Sequence, residues 1–140
     1  MEDTHITTPE LTKDKSLFAV FDGHGGSHVA EYAKDRFSDN FEKLDQLLSY
    51  IEVHPYSDPT MYLKKTKDKK SIITKAWLRQ RFLDLDKELV DLDASGQVDF
   101  KHGGCTANVS FIDHKEQMLY VANAGDARCL LANRNSSEFT

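Results

Sequence analysis

The sequence predicts a layered α+β fold, in which helices lie between two groups of antiparallel strands. Three observations lead to this prediction. A short apolar strand at 16–21 precedes a stretch whose apolar residues recur at helical spacing. The last third of the chain instead contains three strand-like segments joined by short polar connections, which favours antiparallel pairing. Helices gathered between such strands are typical of an α+β domain.

The first third is predicted to contain two strands and one long helix. Residues 1–5 are interpreted as the end of a strand, and residues 16–21 as the clearest strand of the chain. Ser27 is the predicted N-cap of the helix that follows. This helix is predicted to be continuous, because one apolar stripe runs along it at steps of three and four: Ala30, Ala33, Phe37, Phe41, Leu44, Leu48 and Ile51.

The middle of the chain is predicted to be a loop followed by a second helix. Residues 52–70 lose the helical period and contain two prolines and a basic run, so we interpret them as a solvated loop. The second helix has an apolar face, and Trp77 is expected to anchor its N-terminal half against neighbouring structure. That face consists of Leu78, Phe82, Leu85, Leu89 and Leu92. The last three strands are predicted at 106–112, 118–122 and 128–132.

Composition indicates one globular domain over residues 1–140. The chain is 39% apolar and carries a net charge of −5, which argues against nucleic acid as a partner. No apolar stretch has the length of a membrane span, and no apolar leader precedes the first strand, so no membrane partner is expected. Cys105 and Cys129 lack the spacing of a metal site or a disulfide framework, which favours a cytoplasmic or nuclear location. The oligomeric state is not predicted.

The residues that follow the strand at 16–21 predict a metal-assisted reaction centre. Asp22 offers a hard oxygen ligand, Gly23 lets its carbonyl approach an ion, and His24 can transfer a proton near neutral pH. Oxygen ligands favour Mn²⁺ or Mg²⁺ over zinc. A zinc-binding helix pair of His24 and His28 is not expected, because the two glycines between them are poor helix formers.

A calcium-binding loop is an alternative hypothesis for residues 91–102. A helix precedes this segment, and six of its residues follow the order of an EF-hand loop: Asp91, Asp93, Ser95, Gly96, Val98 and Asp99. The twelfth position is His102, where such a loop needs a bidentate Glu. A polar turn from helix to strand is therefore the favoured interpretation.

Six of the seven glycines lie in three of four short blocks that also contain carboxylates or polar residues. The blocks are MEDTH at 1–5, DGHGG at 22–26, GGCTA at 103–107 and NAGDAR at 123–128. In this order, they resemble the type 2C protein phosphatases, a family of metal-dependent serine/threonine phosphatases. The resemblance implies a four-layer αββα fold, an antiparallel β-sandwich flanked by helices. Residues 1–140 resemble the N-terminal half of that catalytic domain, so the fold is expected to be incomplete.

The resemblance also implies a set of metal ligands for two Mn²⁺ or Mg²⁺ ions. Asp22 would bridge the two ions, the Gly23 carbonyl would bind one of them, and Glu2 would bind the same ion directly or through water. Asp126 matches the acidic position that can hold a third, weaker ion. Asp126 could also simply shape a turn between strands, and that alternative stays open.

The catalytic roles implied by the resemblance fall on different residues. Two cations about 3.5–4 Å apart would lower the pKa of a water and hold the phosphoryl group in line. Asp3 and His5 would orient that water, and His24 would protonate the departing serine or threonine oxygen. Thr106 and Arg128 would be mainly structural.

The sequence differs from the family pattern in two ways. The family has an arginine before the first block and two later aspartates that complete its metal centre, and residues 1–140 contain neither. We predict a phosphatase of phosphoserine and phosphothreonine in proteins, with the isolated chain weakly active or inactive. The alternative is a non-catalytic pseudo-phosphatase or binding module.

Overall fold

The computed structural model describes residues 1–54, 66–96, 100 and 102–132. In chain order, the described elements are β1 (Thr4–Thr12), β2 (Lys15–His24), α1 (His28–Arg36), α2 (Phe41–Val53), α3 (Thr66–Ala94), β3 (Gly104–Asp113) and β4 (Met118–Ala124). The chain divides into two compact units. Met1–Glu31 with His102–Thr140 forms the first unit, and Tyr32–Lys101 forms the second. The predicted α+β class is confirmed.

The first unit is built on a four-stranded sheet in the order β1-β2-β3-β4, with every neighbouring pair antiparallel. The central pair is continuous from Lys15 opposite Asp113 to His24 opposite Gly104. Alternate residues of the central strands are buried on one face, as the period of two of a half-buried strand requires: Leu17, Ala19, Phe21, Ala107, Val109 and Phe111. This register brings the blocks at 22–26 and 103–107 to the same edge of the sheet.

The second unit contains most of the helical part of the chain. Trp77 of α3 packs edge-on against Phe37 and Phe41, with ring centroids 6.4 Å and 5.8 Å apart. The expectation that Trp77 anchors its helix is therefore confirmed. The buried Arg81 guanidinium donates hydrogen bonds to the carbonyls of Arg36 and Phe37, at 2.8 Å and 3.2 Å. These carbonyls lie at the C-terminal end of α1, where the helix itself supplies no partners.

The prediction of one continuous helix from 30 to 51 is wrong. The predicted N-cap holds, because α1 begins directly after Ser27, whose carbonyl accepts the Glu31 N–H at 2.9 Å. The helix ends at Arg36, however, and α2 begins after Asn40, which has a left-handed φ of 61°. Asn tolerates this conformation better than most residues. The apolar stripe did not reveal the break because both helices bury the same stripe.

Two strand predictions are also wrong. Residues 1–5 are not the end of a strand; β1 begins at Thr4 and continues to Thr12. The threonines and Pro9 of β1 interrupt the alternation of apolar and polar residues that would have indicated a strand. The segment 128–132 forms no strand, and Leu130 and Leu131 are 76% and 50% exposed. All five residues of this segment are exposed, and an apolar run without a packed face has little tendency to form a strand.

The prediction of a solvated loop at 52–70 is wrong at both ends, because α2 and α3 extend into it. Residues 55–65 lie outside the described residues. Lys69 and Lys70, which belong to the basic run, are only 3% and 5% exposed. The Lys70 ammonium pairs with the Glu52 carboxylate at 3.0 Å. Long lysine stems can pack along apolar surface while the charge finds a partner, so a run of charges need not be solvated.

Two further observations concern membranes and thiols. Within the described ranges, no helix combines the length and the apolar character needed to cross a bilayer. Cys105 is half-buried and Cys129 exposed, and both are free thiols.

Candidate active site

Two strand ends bring Asp3 and Asp22 together. The register of β1 and β2 pairs Thr4 with Phe21. Continued by one position, it places Asp3 opposite Asp22. Residues opposite each other in an antiparallel pair have Cβ atoms about 4.5–5.5 Å apart and project from the same face. Both side chains are exposed, and neither makes an ion pair or hydrogen bond with a described residue. The register therefore assigns the two carboxylates to adjacent strand ends at this edge of the sheet.

Glu2 is held against the end of β2 and the loop that follows it. Its backbone carbonyl lies so close to Gly23 that a Cβ at that position would overlap the oxygen. Its carboxylate Oε1 accepts a hydrogen bond from the Gly26 N–H at 3.0 Å. Thr4 Oγ1 donates a hydrogen bond to the Ala30 carbonyl at 3.0 Å. We call residues 2–4, fixed by these three contacts, the N-terminal strap.

His24 is the last residue of β2 and projects from the same face as Asp22, because side chains alternate along a strand. Its imidazole is exposed at the edge of the sheet. The cross-strand partner of His24 is Gly104, and the ring lies directly over that glycine. His5, on the same face of β1, is exposed opposite Val20.

The glycines of the block at 22–26 permit close backbone approaches. Gly25 has a φ of 70°, and the His102 carbonyl occupies the place where its Cβ would lie. Gly26 has a φ of 118°, which side chains rarely tolerate. The loop after β2 therefore folds against the start of the chain segment that leads into β3.

Two residues of β3 lie beside Asp22. Thr106 is its cross-strand partner, and the Thr106 hydroxyl oxygen is buried without a hydrogen-bond partner among the described residues. Burial, and secondarily the negative charge of Asp22, raises the pKa of the Cys105 thiol. The Asp22 carboxylate is therefore near enough to β3 for its charge to act on the neighbouring strand.

Asp126 lies at the same edge but apart from the other acidic residues. It follows β4 in an exposed bend, after Gly125 with a φ of 86°. A Cβ on Gly125 would lie 2.9 Å from Thr106 Cγ2, so this turn also depends on glycine. Among the described residues, Asp126 does not belong to any group of three or more His, Cys, Asp or Glu side chains that could hold an ion. Arg128 is exposed beyond this bend.

The donor atoms at the edge fit part of a site for Mn²⁺ or Mg²⁺. Carboxylates and peptide carbonyls are the oxygen ligands these ions prefer. Like charges directly opposite each other destabilise a sheet, and a divalent cation beside Asp3 and Asp22 would offset that cost. In the part of the chain that the structure describes, however, no three His, Cys, Asp or Glu side chains come close enough to enclose an ion. The described residues therefore supply an incomplete coordination sphere.

The contact of Gly104 with His24 was missed in the sequence, and so was the unpartnered hydroxyl of Thr106. Both depend on which residues face each other across β2 and β3. The only signal in the sequence was that two glycine-containing blocks end or begin strands, and that signal does not give the register.

The predicted calcium loop at 91–102 is only partly covered, since residues 97–99 and 101 lie outside the described ranges. Asp93 Oδ1 accepts a hydrogen bond from the Phe100 N–H at 3.0 Å. Ser95 Oγ donates to the Leu92 carbonyl at 2.7 Å. Both groups thus shape the chain after α3, in keeping with the turn interpretation.

Comparisons with known proteins agree on one family. The family model of protein phosphatase 2C matches residues 1–140. "Probable protein phosphatase 2C 3" of Paramecium tetraurelia is 35% identical over 145 residues, which cover 98% of this chain and 40% of that protein. "Protein phosphatase 1L" of Bos taurus is 30% identical over 139 residues, covering 98% of this chain and 33% of that protein. The chain thus spans two fifths or less of the length of these curated relatives.

A solved structure supports the fold. It is described as "Structure of a C.elegans sex determining protein" and superposes with a TM-score of 0.57 at 24% sequence identity. The match covers 89% of this chain and 26% of the other. At this level of identity the likeness concerns the fold alone.

Proposed function

Because the chain belongs to the protein phosphatase 2C family of serine/threonine phosphatases, we propose that residues 1–140 contribute one side of a metal-dependent active site for phosphoserine and phosphothreonine in proteins. The observation that carries the proposal is the placement of three groups on one face at one edge of the sheet. Asp3 lies opposite Asp22, and His24 lies two residues further along the same strand.

The proposed metal ligands are oxygen atoms of the two strand ends. Asp22 and the Gly23 carbonyl would hold the ions from β2, and Glu2 would add its carboxylate from the N-terminal strap. One oxygen of Glu2 is engaged by the Gly26 N–H, which leaves the other for an ion or its water. When bound, Mn²⁺ or Mg²⁺ would neutralise phosphate charge and lower the pKa of a water. Asp126 is proposed as a ligand of a further, weaker site.

The two proposed catalytic residues are Asp3, which orients the attacking water, and His24, which donates a proton to the leaving group. Asp3 would accept a hydrogen bond from the attacking water and orient it toward phosphorus. As the water oxygen bonds to phosphorus, the proton that the water loses would pass to solvent. His24 donates its proton to the serine or threonine oxygen as the P–O bond breaks, so that the leaving group departs as a neutral hydroxyl. General acid catalysis of this kind contributes about 10²–10⁴-fold to a rate. The exposed position of the imidazole supports this role because a protein substrate must reach it.

The substrate and location are proposed on charge and cysteine content. A net charge of −5 disfavours nucleic acid, and membership of the phosphatase family supports a phosphoprotein substrate. The two free thiols are in keeping with a reducing cytoplasmic or nuclear compartment.

Titration calorimetry of Mn²⁺ binding to this chain tests the proposed metal site. Asp22→Asn should weaken binding at least tenfold, because it removes the shared ligand. Asp35→Asn is the matched control: it deletes the same charge from an exposed position on α1 and should leave binding unchanged. Equal binding by the wild type and Asp22→Asn would contradict the metal site.

Release of phosphate from a phosphoserine peptide tests the reaction itself. With Mn²⁺ and high protein concentration, we expect a low rate that Asp22→Asn abolishes and His24→Gln lowers at least a hundredfold. If the chain binds the phosphopeptide but neither binds Mn²⁺ nor releases phosphate, the result would instead favour the binding-module alternative. The observation in favour of that alternative is the incomplete set of metal ligands among the described residues.

A further inference from the structure

The imidazole of His24 occupies the space that a side chain at position 104 would fill. A Cβ built on Gly104 would lie 2.6 Å from His24 Nε2 and 2.7 Å from Cε1. Real Cβ atoms essentially never approach other atoms within 3.0 Å. The two residues are direct partners across β2 and β3. The ring is therefore placed across the strand pair, directly over the bare Cα of the glycine.

Among the described residues, no other polar interaction fixes this ring. The His24 imidazole makes no hydrogen bond and no ion pair with any residue that the structure describes, and it is exposed to solvent. Its orientation is therefore set by the backbone of β2 and by the surface on which the ring lies. That surface exists only because residue 104 has no side chain.

We propose that Gly104 is a positioning residue, which holds the imidazole of His24 in the orientation from which it donates a proton. This inference rests on the proposed role of His24 as the general acid. Gly104 has no side chain with which to act in the reaction itself. A larger residue at this position would rotate the ring away from the edge of the sheet and out of reach of the leaving oxygen.

The other described glycines of these blocks approach different groups. A Cβ at Gly23 or Gly25 would overlap a backbone carbonyl, so substitution there disturbs the fold. A Cβ at Gly103 would first meet Val29 Cγ2, at 3.3 Å. At Gly104 the obstacle is instead the far end of one side chain, which can swing aside. The backbone there is that of a regular strand, without the positive φ that alanine would resist.

Because of these differences, Gly104→Ala can change the position of the His24 ring without lowering the stability of the fold. Gly104→Ala should leave the urea midpoint unchanged or slightly higher, because alanine reduces the conformational freedom of the unfolded chain. It should nevertheless displace the His24 ring. Gly103→Ala is the matched control, since it adds the same methyl group to the neighbouring glycine and meets a valine.

The test is a ¹H–¹³C correlation spectrum of the histidine rings, in which His24→Gln identifies the His24 signals. In the wild type we expect a nuclear Overhauser contact between His24 Hε1 and the Gly104 α-protons. Gly104→Ala should shift the His24 ring signals, and Gly103→Ala should leave them in place. Absence of the wild-type contact would overturn the proposal without any variant. Unchanged His24 signals in folded Gly104→Ala would overturn it as well.

Kinetics of phosphopeptide hydrolysis show whether the effect passes through His24. Gly104→Ala should lower kcat about a hundredfold with KM unchanged, and the double variant with His24→Gln should be no slower than His24→Gln alone. A further loss in the double variant would contradict the proposal. The ring spectra need neither metal nor turnover, so a failure of the proposed phosphatase activity is distinguishable from a failure of the ring placement.

Discussion

Gly23 is a residue on which both the proposed metal site and the stability of the sheet depend. Its missing Cβ gives room to the carbonyl of Glu2, and Ala30 Cβ would lie 3.3 Å away on the other side. Gly23→Ala therefore places a methyl group between the N-terminal strap and the first turn of α1. The neighbouring atoms are backbone or a short side chain, so none can rotate aside.

The expected loss in the free energy of unfolding depends on whether the N-terminal strap stays in place or moves away from the added methyl group. Inserting a methyl group into a packed position costs about 1–3 kcal/mol. The strap can escape part of that cost by moving away, but it then loses the hydrogen bonds of Glu2 to Gly26 and of Thr4 to Ala30. Each such bond contributes about 0.5–1.5 kcal/mol. The net loss should therefore be about 1–2 kcal/mol, a factor of about 5–30 in the ratio of folded to unfolded protein.

Urea unfolding followed by circular dichroism measures this loss, with Gly103→Ala as the control. Both variants exchange glycine for alanine at neighbouring sites of the same edge, so both gain the same stabilisation from the unfolded chain. Their difference isolates the clash with Glu2. Exchange of the Gly26 amide proton gives a local reading, because Gly23→Ala should release its bond to Glu2 and speed its exchange.

Two results would refute the reasoning. One is an equal midpoint for Gly23→Ala and Gly103→Ala, since this would mean that the Glu2 carbonyl is not packed against β2. The other is a slow Gly26 amide in Gly23→Ala, which would show that the strap stays in place despite the added methyl group.

Other consequences can be measured on the same chain. Arg81→Met should cost about 3 kcal/mol in urea unfolding, since two carbonyls lose a charged donor; Arg79→Met, at an exposed position, should cost almost nothing, and similar losses would contradict this. Mn²⁺ at a hundred times its Kd should raise the free energy of unfolding by about 2.7 kcal/mol, and EDTA should reverse the gain. At pH 8, iodoacetamide should modify exposed Cys129 before Cys105, whose thiol pKa is raised by burial and then by a nearby carboxylate; a mass-spectrometric time course decides. Burial, followed by an acidic neighbour, raises the pKa of Tyr32, so its contribution to stability is present below about pH 10 and is lost as the pH rises through that raised pKa. Tyr32→Phe should flatten the fall in stability above about pH 9, and an unchanged slope would contradict this.

Short-range patterns predicted the parts of the fold that depend on neighbouring residues. The apolar strand ending at the block 22–26 and the antiparallel pair of β3 and β4 are both present, because alternation and short connections determine them locally. The four blocks all end or begin a strand at one edge of the sheet, so the candidate site residues that they contain share that edge.

Features that depend on backbone conformation or on distant partners could not be predicted in this way. The break at Asn40 leaves the apolar stripe intact, so periodicity alone cannot detect it. The burial of Lys70 depends on Glu52, which lies on a different helix. The contact of His24 with Gly104 requires the register of two strands 80 positions apart in sequence, and no local pattern contains that register.

The kind of side-chain pair between β1 and β2 changes along one face of the sheet. Thr7 opposite Phe18 is the β-branched and aromatic kind of pair that stabilises a sheet. At the strand ends this changes to Asp3 opposite Asp22, a pair of like charges that opposes folding and has no partner among the described residues. Packing explains the first pair and cannot explain the second. A bound cation would offset this repulsion, and this is the electrostatic reason for proposing that the two strand ends take part in a cation site.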